Sequence, residues 1–304
     1  MLLLIKDVTH LKDFLIQIKM DQNLCYIYKI QSFRKRIFSI TDFFGFKSLA
    51  FLILFLNIVS FKSYAQENAY LKTPAFNHGE ILKYKLKYGF ITAAEATLKV
   101  QNTDVKFNNL PTYNLVVQGK TTGTFDIFFK VRNRYESYID KKDFTPYLYT
   151  ENISEDNYKR TEKARFYQDE KKIVSKKGTF KSPVSQTFDI VSAYYFARNL
   201  DLSNIKVGDK ITMNYFLSDE VTPLTVEYLG KEVIKTSQGR LRCLKFSPSI
   251  SPGRIFRKDS KLYLWITDDA NRIPVKAMGE VIVGSITMEL SDAKGLKAPL
   301  QISK

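Results

Sequence analysis

The chain has 304 residues, with 47 Lys or Arg against 31 Asp or Glu, a net charge of +16, and only two cysteines and two histidines. One of each, Cys25 and His10, falls in the first 65 residues. Residues 66–304 therefore carry one thiol and one imidazole, too few for an internal disulfide or for a zinc site of several His or Cys ligands. The lysines alternate along strand-like stretches and do not cluster; with no recognised nucleic-acid-binding motif either, nucleic acid is excluded as a partner.

Residues 1–45 carry Arg34-Lys35-Arg36, a positive flank of the kind translocation machinery retains on the cytoplasmic side. Residues 46–65 continue with Lys47, an apolar run from Leu49 to Phe61, and Ser63-Tyr64-Ala65. A spanning helix needs roughly 20 apolar residues, and Lys47 and Lys62 bracket fewer. The layout predicts a secretory signal peptide cleaved after Ala65, with small residues where a signal peptidase reads. Whole signal peptides run roughly 15–30 residues, so residues 1–45 read as a leader upstream of the true start codon. Cleavage removes nine Lys or Arg and four Asp, leaving 239 residues with a net charge of +11. No cysteine stands at the cleavage site to take a lipid anchor. The expectation is a soluble protein exported to the periplasm or secreted, not membrane-spanning, whose dispersed lysines keep it soluble and protect its strand edges, with association to anionic envelope components as the alternative. A polar lead-in covers 66–77 and a single β-rich domain 78–304.

In that domain Leu82, Tyr84, Leu86 and Tyr88 alternate with Lys83, Lys85 and Lys87, a period of two that only a strand presents as one apolar face. After Gly89, Ala96, Leu98 and Val100 alternate with Glu95, Thr97 and Lys99, which predicts a hairpin. Tyr113–Val117 makes a third strand. A long fourth, Phe125 to Ile139, sets Phe125, Ile127, Phe129 and Val131 opposite Arg132, Arg134 and Glu136. Strands near Tyr147–Ile153, Lys159–Gln168 and Lys171–Lys176 come next. The pattern then breaks into one helix: Thr187 and Asp189 are N-cap types, Ile190, Ala193, Tyr194 and Ala197 recur at helical spacing, and Arg198 stands near the C-terminal end. Strands resume at Lys210–Leu217, Thr225–Lys235, Arg240–Phe246, Lys261–Thr267, Pro274–Ala277 and Val281–Leu290. The predicted fold is mainly β: a large curved antiparallel sheet, forming an open or closed barrel because exposed strand edges are a liability, with the one helix packed on it or in it.

Gly79-Glu80-Ile81-Leu82-Lys83-Tyr84, Asp189 to Arg198, Leu264-Trp265-Ile266-Thr267-Asp268 and Arg272-Ile273-Pro274-Val275 together resemble an exported bacterial family known as domain of unknown function 3108, over roughly His78 to Leu290. That family more often has Asp-Pro-Leu-Ser where this chain has Asp189-Ile190-Val191-Ser192. The resemblance implies a predominantly β envelope protein with no established activity. At the level of fold alone, periplasmic lipoprotein carriers are a weaker analogy.

Catalytic constellations are missing. No Gly-x-Ser-x-Gly elbow occurs, and a triad would have to use His78. Gly119-Lys120-Thr121 imitates the end of a phosphate loop, but Asn114 stands where its first glycine belongs and strand text comes after it. The acid pairs Glu155-Asp156, Asp169-Glu170, Asp219-Glu220 and Asp268-Asp269 read as solvated turn formers. No metal or cofactor is implied. Cys243 reads as a small buried hydrophobe.

The reading that results is a non-enzymatic envelope protein binding a lipid or another apolar ligand. Two alternatives remain: a structural or interaction protein docking an envelope partner, and thirdly a carboxylate-based hydrolase. Candidate ligand-binding residues are Phe125, Phe128, Phe129, Tyr194, Tyr195, Arg198 and Trp265. Arg198 would face an anionic ligand at the barrel mouth or compensate the helix dipole. Trp265 and the phenylalanines would line a cavity or fill a core.

Overall fold

Strand β1 (Ile81–Tyr88) shows how the alternation becomes a wall: Leu82, Tyr84 and Leu86 are buried, while Lys83, Lys85 and Lys87 point outward. In this computed structural model, which describes residues 71, 73–249, 260–281 and 284–303, β1 pairs antiparallel on both sides. One neighbour is β2 (Ile91–Gln101), reached through the two-residue turn Gly89-Phe90 with Gly89 at φ 58°. Its other neighbour is the last strand, β16 (Ser285–Lys294). The predicted leader and signal segment, 1–65, lie outside the described residues.

From β2 the chain meanders through β4 (Leu110–Thr121), β5 (Arg132–Asp140), β6 (Pro146–Glu155), β7 (Tyr158–Tyr167), β8 (Lys172–Ser175) and β9 (Gly178–Lys181). On the other side of β1, β16 continues backward through β15 (Pro274–Glu280), β14 (Leu262–Thr267), β13 (Gly239–Pro248), β12 (Glu220–Thr236), β11 (Lys210–Leu217) and β10 (Thr187–Phe188). With the short β3 (Lys106–Phe107) paired to β4, the described residues form one sheet of sixteen strands. All pairings are antiparallel except β10 with β11. The first and last strands are thus stitched in mid-sheet, and the two free ends are β9 and β10, neighbours in the chain.

No backbone ladder closes the sheet between β9 and β10; side chains bridge the gap. Phe216 of β11 meets Phe180 of β9 and Phe166 of β7 with ring centroids 5.2 and 6.2 Å apart. Lys177 reaches Asp219 at 2.7 Å. The Gln168 amide donates to the Thr187 carbonyl at 2.9 Å and accepts the Thr187 N–H at 3.0 Å, substituting for a ladder pair at the edge. The sheet is therefore open, curled and clamped.

Two predictions are corrected here. The long strand Phe125–Ile139 is in fact a connection followed by a strand. Gly123 at φ 58° ends β4, Thr124–Phe128 makes a one-turn helix, α1, and β5 begins only at Arg132. Because β4 and β5 pair antiparallel, the chain must reverse between them. The reversal is pinned by Thr121, whose hydroxyl donates to Asp126 at 2.7 Å and accepts the Val131 N–H at 2.9 Å. Arg132 adds a bidentate grip on Asp126 at 2.6 and 2.8 Å. The described residues accordingly hold two helices, not one. Secondly, the lead-in is polar only in part: Ala75 and Phe76 are buried, and Phe76 packs edge-on against Tyr113, Phe144 and Tyr195.

Helix α2 (Ile190–Arg198) comes directly after edge strand β10. Asp189 caps it: one carboxylate oxygen accepts the Val191 and Ser192 N–H groups, and the Ser192 hydroxyl accepts the Asp189 N–H in return. The helix is apolar on most of its circumference, as a buried helix must be. Val191, Tyr195 and Phe196 join a core built from β4 to β8, β10 and β11. A second core lies among β1, β2 and β12 to β16 and includes the buried thiol Cys243, which burial pushes up to about 12.

Candidate ligand cavity

The predicted stripe Ile190, Ala193, Tyr194 and Ala197 faces a cavity of about 220 Å³ between α2 and the sheet. Its far walls come from the inward positions of β2, β11, β12 and β14, among them Leu98, Met213, Val226 and Leu264. Among the described residues its lining holds no Asp, Glu, His, Ser or Cys. The polar side-chain groups there are Arg198 and the hydroxyls of Tyr84, Tyr194 and Tyr263.

Arg198 reaches the cavity fully engaged. Its Nη1 and Nη2 donate to Oε1 and Oε2 of Glu80 at 2.6 and 2.8 Å, and both side chains are buried. Nη2 also donates to the Asn271 and Ala75 carbonyls at 2.8 and 3.1 Å, and Nε to Asn271 at 3.2 Å. Burial opposes its charge, but the Glu80 carboxylate outweighs this and holds the guanidinium protonated, with its pKa raised. The pair ties β1, α2 and the turn before β15 together. Asn199 extends the knot, accepting the Ala75 N–H at 2.8 Å. The charge of Arg198 is thus balanced within the chain and needs no anionic ligand.

Tyr84 and Tyr194 are different. Both hydroxyl oxygens are enclosed, and neither makes a hydrogen bond of normal geometry. They lie close enough to influence each other and Arg198. Burial pushes Tyr194 up to about 12 and Tyr84 well above its ordinary value, so both stay neutral phenols.

The other candidate residues fall elsewhere. Tyr195 lies on α2 but packs edge-on to Phe76, ring centroids 5.0 Å apart, in the core away from the cavity. Phe125, Phe128 and Phe129 sit in the β4–β5 connection; Phe125 and Phe129 are buried there, Phe128 is exposed, and none lines the cavity. Trp265 stands between the cavity residues Leu264 and Ile266 but does not line it; its Nε1 donates to Glu232 at 3.0 Å and Lys245 lies over its ring. Of the acid pairs, Glu155 departs from the solvated reading, being buried against Asn133 at 2.7 Å. Asp268 is drawn to Lys231 and Arg242, and Asp269 to its own turn. His78 is exposed beside Tyr113.

Trp265 supplies a pH readout. Hydrogen bonds from Trp265 and Lys245 lower the Glu232 carboxyl below its ordinary value. A lowered carboxylate stabilises the fold above its unfolded pKa, and that contribution is lost as pH falls through the folded value. Emission from the single tryptophan should therefore be flat from pH 7 to about 4.5, the region of an ordinary Glu, and change below it. The step should vanish in Glu232→Gln. A transition centred above pH 5 would contradict the pairing.

Sequence reading missed Glu80, Asn271 and the role of Tyr84. Glu80 had a signal: an acid directly ahead of an alternating strand. Tyr84 fitted the core pattern, so nothing local marked its hydroxyl.

A long antiparallel meander curled around a helix, with an apolar cavity between them, defines a β-barrel-like protein. The chain belongs to the family described as protein of unknown function DUF3108, whose model matches residues 83–291. In structure it is similar to a β-barrel-like protein of domain of unknown function DUF1849 from Brucella abortus, with a TM-score of 0.50 at 9% identity, covering 73% of this chain and 99% of that one. A DUF1089 family protein from Pseudomonas aeruginosa gives a TM-score of 0.36 at 8% identity over 61% of this chain and 89% of that chain. The likeness to the Brucella protein is one of fold alone. No curated protein sequence matches the chain.

Proposed function

We propose that this is an exported, non-enzymatic protein of the cell envelope that holds a lipid chain or another small apolar ligand between α2 and the sheet. The cavity carries this reading: apolar walls with few polar groups are the ordinary form of a ligand site. Its volume, about 220 Å³, lies just under the ~300–1,000 Å³ usual for small-molecule sites. That suits one short apolar body or the end of a single chain more than a whole diacyl lipid. A lining without carboxylate, imidazole or thiol supports the non-enzymatic reading over a carboxylate hydrolase. Export rests on the apolar segment Leu49–Phe61 and the residues after it. Among the described residues no helix is long and apolar enough to cross a membrane.

The test uses protein purified from its own envelope. Native mass spectrometry should show a bound small apolar molecule, and the emptied protein should bind a fluorescent apolar dye. Ala197→Phe and Ala277→Phe, which put rings into the cavity, should each weaken the dye at least tenfold while the protein still unfolds cooperatively. Dye binding unchanged in both variants would sink the cavity reading.

One observation favours the interaction alternative. Phe90 is 94% and Ile127 82% exposed, and α1, which carries Ile127, packs on β2, the strand that begins just after Phe90. In that reading these side chains dock an envelope protein. Crosslinking from Phe90 to one defined protein, with an empty cavity, would favour it.

A further inference from the structure

We propose that the ligand of this cavity carries an uncharged oxygen head group, such as an alcohol or ester, that hydrogen-bonds Tyr84 and Tyr194, and that the site rejects an ionised head group. The inference rests on the cavity reading above and narrows it to one chemical class.

Two observations carry it. The first is the pair of enclosed hydroxyls. Roughly nine in ten buried polar groups in folded proteins are hydrogen-bonded, yet Tyr84 Oη and Tyr194 Oη have no bond of normal geometry although both residues line the cavity. The Tyr84 side chain is almost wholly buried. The Tyr194 ring is partly accessible while its oxygen is enclosed. The two phenols have each other, Arg198 and Glu80 as polar neighbours, and this small polar cluster at the wall of an apolar hollow marks where a polar atom of a ligand would rest. A phenol both donates and accepts, so an alcohol oxygen can take a proton from one tyrosine and give one to the other, and an ester oxygen can accept from either.

The second observation is the state of Arg198. An ionised carboxylate or phosphate entering an apolar cavity must find a counter-charge, or desolvation defeats it. Arg198 is the one cation in the lining among the described residues, and the bidentate contact with Glu80 already neutralises it. An anion here would compete with a buried carboxylate held at 2.6 and 2.8 Å. A neutral head group meets no such opponent. The cavity is thus polar where a hydroxyl would sit and neutral where a charge would be needed.

The experiment compares 1-octanol, octanoate and toluene at pH 7.5 as competitors of the apolar dye, on wild-type protein and on Tyr84→Phe and Tyr194→Phe. Both substitutions remove an oxygen that makes no hydrogen bond of normal geometry, so unfolding temperature should change little. Octanol is expected to bind at least tenfold tighter than octanoate. Each substitution should weaken octanol by about three- to tenfold, the usual range for one hydrogen bond, and leave toluene unchanged. Toluene binding with octanol and octanoate equal, or octanol indifferent to both substitutions, overturns this inference and leaves the cavity reading standing. Tighter octanoate overturns it in the same way. If neither dye nor toluene binds, the cavity reading fails and this inference fails with it.

Discussion

Replacing Arg198 by alanine is expected to cost about 3–5 kcal/mol of folding stability, the usual penalty for breaking a buried ion pair from one side. The substitution strands the Glu80 carboxylate in the interior with neither of its two guanidinium contacts. It also frees the carbonyls of Ala75 and Asn271, both held by the same side chain. Against a total stability of about 5–15 kcal/mol for a typical domain, this is a third or more of the total for all but the most stable domains. Urea denaturation measures the loss. The reciprocal Glu80→Ala leaves a buried guanidinium among Phe76, Tyr194 and Tyr195 and should be as severe. The double change Glu80→Leu with Arg198→Met should recover much of it, because removing both charges removes the desolvation cost as well. A single Arg198→Ala loss under 1 kcal/mol would show that the pair does not hold β1 to α2.

Asp189→Ala is expected to cost about 2–4 kcal/mol, from a lost cap of roughly 0.5–2 kcal/mol and from buried donors left without an acceptor at about 1–3 kcal/mol each. The carboxylate is fully buried and accepts from the Val191 and Ser192 N–H groups at 2.8 and 2.9 Å and from the hydroxyls of Ser137 and Ser192 at 2.6 and 2.9 Å. The Ser137 contact matters most for the fold, since it fastens the start of α2 to β5. Burial raises the Asp189 carboxyl above its ordinary value, against these four bonds. Asn at this position keeps one acceptor oxygen and drops the charge, so Asp189→Asn should lose less than half as much. Equal losses in the two variants, compared by denaturant midpoints, would refute the capping account.

Most strands could be read locally because alternation is a local signal. Lys83, Lys85 and Lys87 between Leu82, Tyr84 and Leu86 state which face is wet whatever β1 pairs with. The same holds for Asp189: a cap and the residues it caps lie within three positions. The failures share a cause. Residues 125–131 alternate as well as any strand, and only the need to reverse between β4 and β5 makes them a connection. The β3 turn, Asn108-Asn109 with both φ positive, carried a usable hairpin signal that went unread. Phe76 looked solvated because its partners, Phe144 and Tyr195, lie far along the chain.

By itself the sequence determined the family, the β character, the helix and its cap, because each is written in residues a few positions apart. Only the tertiary structure decided that the sheet stays open, that β1 lies between β2 and β16, and that Glu80 claims Arg198 from 118 positions away. It also decided that Trp265, Phe125, Phe128 and Phe129 lie outside the cavity while Tyr84 lines it. Periodicity tells a side chain which way to face; register and curvature tell it what it meets.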